Sequence, residues 1–137
     1  MLCQVIGVAD NDWGRRVFAG TYLDAYLCKG GSMRGYTVAV WNGPHVAEPT
    51  QLTTTQATGY RHELLQVGRA VENTFDNVKM NYEMLGNSVP HLHTHVVPRP
   101  PLDPAPNGPL PWSYLDEGRQ DPDTFAADAG KLGAALS

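Results

Sequence analysis

Between residues 54 and 76 apolar side chains return at steps of three and four. Ala57, Tyr60, Leu64, Val67, Val71 and Phe75 fall on one stripe, which predicts an amphipathic helix lying across a sheet. Elsewhere β-branched and aromatic runs read as strands. "RVFAGTYLDAYLC" divides into two around Gly20, and "YTVAVW" at 36–41 follows a glycine-rich turn, "CKGGSMRG". In "KMNYEMLG", Met80, Tyr82 and Met84 alternate with Lys79, Asn81 and Glu83, the pattern of a half-buried antiparallel strand. A further strand, "HLHTHVVPR", completes a hairpin with it. A five-residue loop over 86–90 would pair Leu85 with His91, Glu83 with His93 and Asn81 with His95.

Seven of the fourteen residues from Pro98 to Pro111 are proline. That stretch cannot donate a regular ladder, so it predicts an irregular or polyproline-like wrap with Trp112 as its apolar anchor. The alanine-rich end, "DTFAADAGKLGAALS", has an acidic start and reads as a short helix. The pattern as a whole predicts an α+β fold: an antiparallel sheet of about five strands packed by one long helix, with a proline-rich C-terminal extension. One domain over 1–137 is expected, its core at about 17–112 and its tail at 113–137.

Composition narrows the classes of function. A chain of 137 residues with 42% hydrophobic and 18% charged residues can bury a core of its own. A net charge of -4 with no basic block argues against nucleic acid as a partner. Cys3 and Cys28 are too few for a disulfide scaffold and lack zinc spacing, so a reducing cytoplasm is the expected setting. The N-terminal "MLCQVIGVADNDWG" shows neither a signal peptide nor a membrane span.

The chemistry concentrates in His91, His93 and His95, three of the five histidines in the chain. On a strand they share one face, with Leu92, Thr94 and Val96 on the other. The outer two would stand about 13 Å apart, too far for one zinc with ligand bonds of about 2.0 to 2.1 Å to gather all three. His45, His62, Glu48, Glu63 and Glu83 form no motif that would complete a metal site. Asparagine is a poor strand former, so Asn81 in mid-strand points to an assigned partner for its amide. His45 reads as a tie for the loop before the helix, and His62 as a surface residue.

"PHLHTHVVPR" resembles the signature of the histidine triad superfamily of nucleotide hydrolases and transferases, and "KMNYEMLGNSVP" extends the likeness. The similarity runs from about Val17 to Trp112, including "RGYTVAVW" and the long helix. It implies cleavage at the α-phosphate of a dinucleoside polyphosphate or nucleoside phosphoramidate through a nucleotidyl-histidine intermediate. Nucleotidyl transfer, or nucleotide binding with negligible turnover, are its alternatives. By resemblance His93 is the nucleophile, His95 touches the phosphate or leaving-group oxygen, and His91 supports the row. Asn81, Asn87 and Ser88 would hold phosphate oxygens beside Val89, with Arg99 reaching a distal phosphate and Phe18 and Tyr26 forming an apolar slot for the base. The histidine chemistry requires no metal, although a divalent ion can accompany a polyphosphate substrate. A homodimer with joined sheets is expected. The likeness departs at two places. Cys28 stands where many relatives carry an acid or Asn that reads ribose, and Gly35-Tyr36 stands where a glycine-histidine pair is common.

Overall fold

The computed structural model describes residues 7–137, so Cys3 lies outside the described residues. Strands β1 (Gly14–Ala19), β2 (Leu23–Cys28) and β3 (Thr37–Trp41) lead to helix α1 (Thr54–Thr74). Then come β4 (Lys79–Glu83), β5 (His93–Arg99), α2 (Ser113–Asp116) and α3 (Pro122–Ala135). The five strands form one sheet in the order β1-β2-β3-β5-β4, antiparallel throughout. The α+β architecture is the one predicted.

Helix α1 starts where its sequence supplies a reciprocal cap. Thr53 accepts from the Gln56 amide at 3.2 Å and the Gln56 side chain accepts from the Thr53 amide at 2.9 Å, satisfying donors that the first turn leaves free. At the other end the Asn77 amide donates to the carbonyls of Glu72 and Phe75, each at 2.8 Å. Tyr60, Leu64, Val67 and Val71 are buried on the sheet. Ala57 is exposed, because it precedes the part of the helix that meets the strands. Helix α3 adds Phe125, Ala129 and Leu132 to this same core, and Leu136 just after it does the same.

A carboxylate anchors the helix to the turn between β1 and β2. Buried Glu63 accepts the backbone amides of Thr21, Tyr22 and Leu23 at 2.8, 2.9 and 3.0 Å. A Cβ at Gly20 would lie 2.4 Å from its Oε2 atom, so this turn needs glycine at that position.

The two faces of the sheet have different roles. Thr94 and Val96 of β5 turn toward the helices, where Thr94 Oγ1 lies 2.8 Å from the Tyr60 hydroxyl. The alternate residues turn to the other face, which carries an apolar cluster of Tyr26, Cys28, Tyr36, Val38, Val40 and Val97 beneath Leu110 and Leu115. Leu110 and Leu115 therefore anchor the C-terminal segment, while Trp112, the predicted anchor, is half exposed.

Strand β1 departs from simple alternation. Arg16 faces Tyr26 and Phe18 faces Ala25, with Val17 as an extra residue between them. This bulge places Phe18 on the helix side, which removes it from the predicted base slot. The hairpin register also differs from the one predicted. Glu83 pairs with His95 and Asn81 with Val97, two residues away, so the same face is kept but the neighbours change. The cause lies at residues 91 and 92, which leave β4 and join the end of β3. Trp41 N donates to Leu92 O at 3.0 Å and Leu92 N donates to Val46 O at 2.9 Å.

Among the described residues no helix is long and apolar enough to cross a membrane. Replacing Glu63 by Ala orphans three backbone donors; we expect a loss of about 3 kcal/mol or more, read from the urea midpoint at constant slope.

Candidate active site

His93 begins β5 and is buried, with its Nδ1 2.6 Å from the His91 carbonyl oxygen. A carbonyl only accepts, so Nδ1 carries the proton and donates. The lone pair of neutral His93 is therefore on Nε2, on the ring edge away from the backbone. His91 is oriented by the same logic: Nε2–H donates to the Trp41 carbonyl at 2.7 Å. Its Nδ1 then accepts from Nδ1 of His45 at 2.9 Å. His45 thus ties its loop to the histidine row, while the Trp41 indole donates to Pro44 O at 2.8 Å and holds the same loop.

His95 stands edge-on to His93, with ring centroids 4.9 Å apart. Its Nδ1 lies 2.6 Å from the Tyr36 hydroxyl. Burial, with the neighbouring His93 charge second, pushes its pKa down from the ordinary 6.5 to about 4. Burial likewise lowers that of His91. Tyr36 moves the opposite way: burial first, then Cys28, Asp116 and Glu83, disfavour its ionised form. Burial thus favours the neutral form of His91 and His95, and the His91 carbonyl fixes the proton of His93 on Nδ1.

Two adjoining clefts of about 300 and 590 Å³ open on this row and share Tyr36, Val89, His93, His95 and Asp116. The larger is also lined by Asn87, Ser88 and Trp112. The smaller is lined by Trp13, Cys28, Val38, Leu115 and Arg119. Asn87, Ser88 and Val89 therefore stand on the same cleft as the histidine pair.

Four residues taken as site candidates lie elsewhere. Asn81, shifted by the register, accepts from Arg99 at 2.7 Å. Arg99 is buried and cannot reach a distal phosphate, because its guanidinium also binds Asp103 at 2.7 Å and the carbonyls of Gly108 and Ala105. It ties the proline-rich segment to the sheet. Phe18 is on the helix face. Tyr26 is fully buried and lines neither cleft, with Trp13 against its ring at 5.2 Å.

Sequence reasoning missed Trp13, Leu115, Asp116 and Arg119 as cleft residues. Residues 113–119 reach the site by docking on the glycine turn after β2. Gly31 N donates to Gly118 O and Ser32 N to Tyr114 O, both at 3.1 Å. Gly31 has φ +78°, and a Cβ there would meet Tyr114 O at 2.5 Å. The glycines of this turn are the sign in the sequence of this close approach.

Among the described residues no group of three His, Cys, Asp or Glu side chains is arranged to hold a metal ion. Cys28 is a free, buried thiol whose pKa burial raises well above the ordinary value. It offers little to a ribose diol.

The family model of the HIT domain matches residues 24–102. No curated protein matches the chain in sequence. Among solved structures, a histidine triad protein from Bradyrhizobium japonicum superposes with a TM-score of 0.81 at 22% identity, over 90% of this chain and 91% of its own. One from Marinobacter aquaeolei gives 0.81 at 23%, over 99% and 95%. A hypothetical histidine triad nucleotide-binding protein from Sulfolobus tokodaii gives 0.74 at 15%, over 98% and 89%. These three share the fold.

The lowered pKa of His95 has a consequence for stability. A ring that stays neutral in the folded chain but takes a proton near pH 6.5 when unfolded stabilises fully above 6.5 and progressively less down to about 4. We expect up to about 3 kcal/mol to be lost across that window. Urea titrations at pH 7.5, 6 and 4.5 check this, with His95→Asn giving a flatter dependence than the parent.

Proposed function

This chain belongs to the HIT domain family, and from that premise we propose that it is a nucleotide hydrolase that uses His93 to attack the α-phosphorus of a nucleotide phosphoanhydride or phosphoramidate. The observation that carries this reading is the Nδ1–H bond from His93 to the His91 carbonyl. It leaves the Nε2 lone pair available for attack, and it meets the positive charge that the ring acquires once Nε2 is bonded to phosphorus. His95 offers a second ring to the nonbridging or leaving-group oxygens, where negative charge gathers. Asn87 and Ser88 hold phosphate oxygens from the loop before β5, with Val89 closing that side. Water then cleaves the nucleotidyl-His93 bond, giving the nucleoside monophosphate and returning the neutral ring.

The nucleoside would enter the smaller cleft, where Trp13, Val38 and Leu115 supply an apolar wall for the base. Asp116 brings a carboxylate to the same cleft, and in this reading it serves the ribose hydroxyls that Cys28 cannot. A metal ion has no part in the histidine steps. A cytoplasmic setting accords with the free thiol of Cys28.

Pairing of two chains is supported by the open edge at β4, the outermost strand next to β5. Tyr82 on that strand and Met84 and Leu85 just after it are all more than a third exposed. An uncovered edge with apolar neighbours is a ready surface for a second copy.

Two measurements test these readings. Rapid quenching with a panel of adenosine and guanosine polyphosphates and phosphoramidates, followed by mass measurement, is expected to reveal a nucleotidyl adduct on the parent and none on His93→Ala. Turnover of that variant should fall roughly a thousandfold or more with nucleotide affinity retained; unchanged turnover would remove His93 as nucleophile. Light scattering behind size exclusion should give twice the chain mass for the parent and the single-chain mass for a Tyr82→Lys, Met84→Lys double variant.

A further inference from the structure

Tyr36 starts from an unusual position for a tyrosine. It is buried at the head of β3, its ring is stacked on that of His95, and its hydroxyl lies 2.6 Å from His95 Nδ1. Two neutral groups that can each donate or accept meet there, and the chemistry of the pair decides the direction. A phenol O–H is a stronger acid than a neutral imidazole N–H, and an imidazole nitrogen is a stronger base than a phenol oxygen. The hydroxyl therefore donates, Nδ1 accepts, and the ring proton of His95 sits on Nε2.

We propose that Tyr36 fixes His95 as a neutral Nε2–H donor at the cleft, and that this limits efficient cleavage to substrates whose leaving group departs as an oxyanion. The favoured class is phosphoanhydrides rather than alkyl phosphoramidates. The inference rests on the hydrolase reading given above and names the substrate class within it.

When His93 Nε2 attacks an anhydride, the N–P bond forms as the bridging P–O bond breaks, and the electron pair leaves on a phosphate oxygen. That oxygen is stable as an anion and needs only a hydrogen bond, which His95 Nε2–H supplies. In an alkyl phosphoramidate the electron pair of the P–N bond must leave on nitrogen, and an alkylamide anion is inaccessible in water. A proton has to arrive as the bond breaks.

A neutral His95 can release Nε2–H only if Tyr36 reprotonates Nδ1 and becomes a phenolate. Burial opposes that phenolate, as do the carboxylates of Asp116 and Glu83. Glu83 lies directly across the ladder from His95, and Asp116 lines both lobes of the cleft. The pair therefore holds a hydrogen bond well and passes a proton poorly. Tyr36 acts through His95 and is a positioning residue.

Two measurements on the parent enzyme test this. Long-range proton–nitrogen correlation spectra of 15N-histidine-labelled protein are expected to show His95 with a protonated Nε2 and an unprotonated Nδ1. Diadenosine tetraphosphate should be cleaved with a kcat/KM at least a hundredfold above that of an N-alkyl adenosine phosphoramidate. Tyr36→Phe, verified as folded by its thermal midpoint, should populate the Nδ1–H tautomer and lower kcat on the anhydride about tenfold with KM within twofold.

A protonated Nδ1 on His95 of the parent overturns the assignment. So does cleavage of the phosphoramidate within tenfold of the anhydride. A protein inert to both substrates overturns the leaving-group assignment together with the hydrolase reading, whereas the nitrogen spectra decide the tautomer independently of turnover.

Discussion

A hydrogen bond from one imidazole to the carbonyl two residues earlier sets the chemistry of this molecule. His93 can have its lone pair on Nε2 only while Nδ1–H is bound to His91 O. That carbonyl stays in place only while His91 itself is pinned between the Trp41 backbone and His45. The end of β3 and the loop after it are thus parts of the site, although none of their side chains lines the cleft. Burial adds to the effect by favouring the uncharged form of His91 and His95.

The sheet explains how such a row is built from a short stretch of chain. With a period of two, β5 sends Thr94 and Val96 into the helix-side core and His93, His95 and Val97 to the other face. The strand thereby anchors itself through one set of side chains while it presents the other. Glu63 and the cap at Thr53 fix α1 across the sheet. Arg99 holds the proline-rich chain that closes the far end, bonding to two backbone carbonyls and two side chains.

Much of this was legible in the residues. Helix periodicity and the shared face of His93 and His95 depend on neighbours within a few positions, and both appear in the folded chain. His91, by contrast, precedes β5, and Tyr82, expected on the buried face of β4, is exposed. The hairpin register was not legible, because it depends on residues 91 and 92 joining β3 rather than β4, a choice made by distant hydrogen bonds. Trp13, Asp116 and Arg119 were missed for a related reason. They come from opposite ends of the chain: Asp116 and Arg119 belong to a segment that Gly31 admits at close range, and Trp13 is held by its carbonyl to the Lys29 amide. Arg99 and Asn81 were read as phosphate donors, since a sequence reveals a charge and an amide but not that they bind each other.

The additional residue in β1 makes spacing along that edge matter more than side-chain identity. Val17 and Phe18 both lie toward the helices, while Arg16 just before them faces the opposite way. Exchange of one apolar side chain for another there alters packing locally. Gain or loss of a single position would invert everything upstream of it, so evolutionary drift at this margin should be free in composition and closed to insertions and deletions.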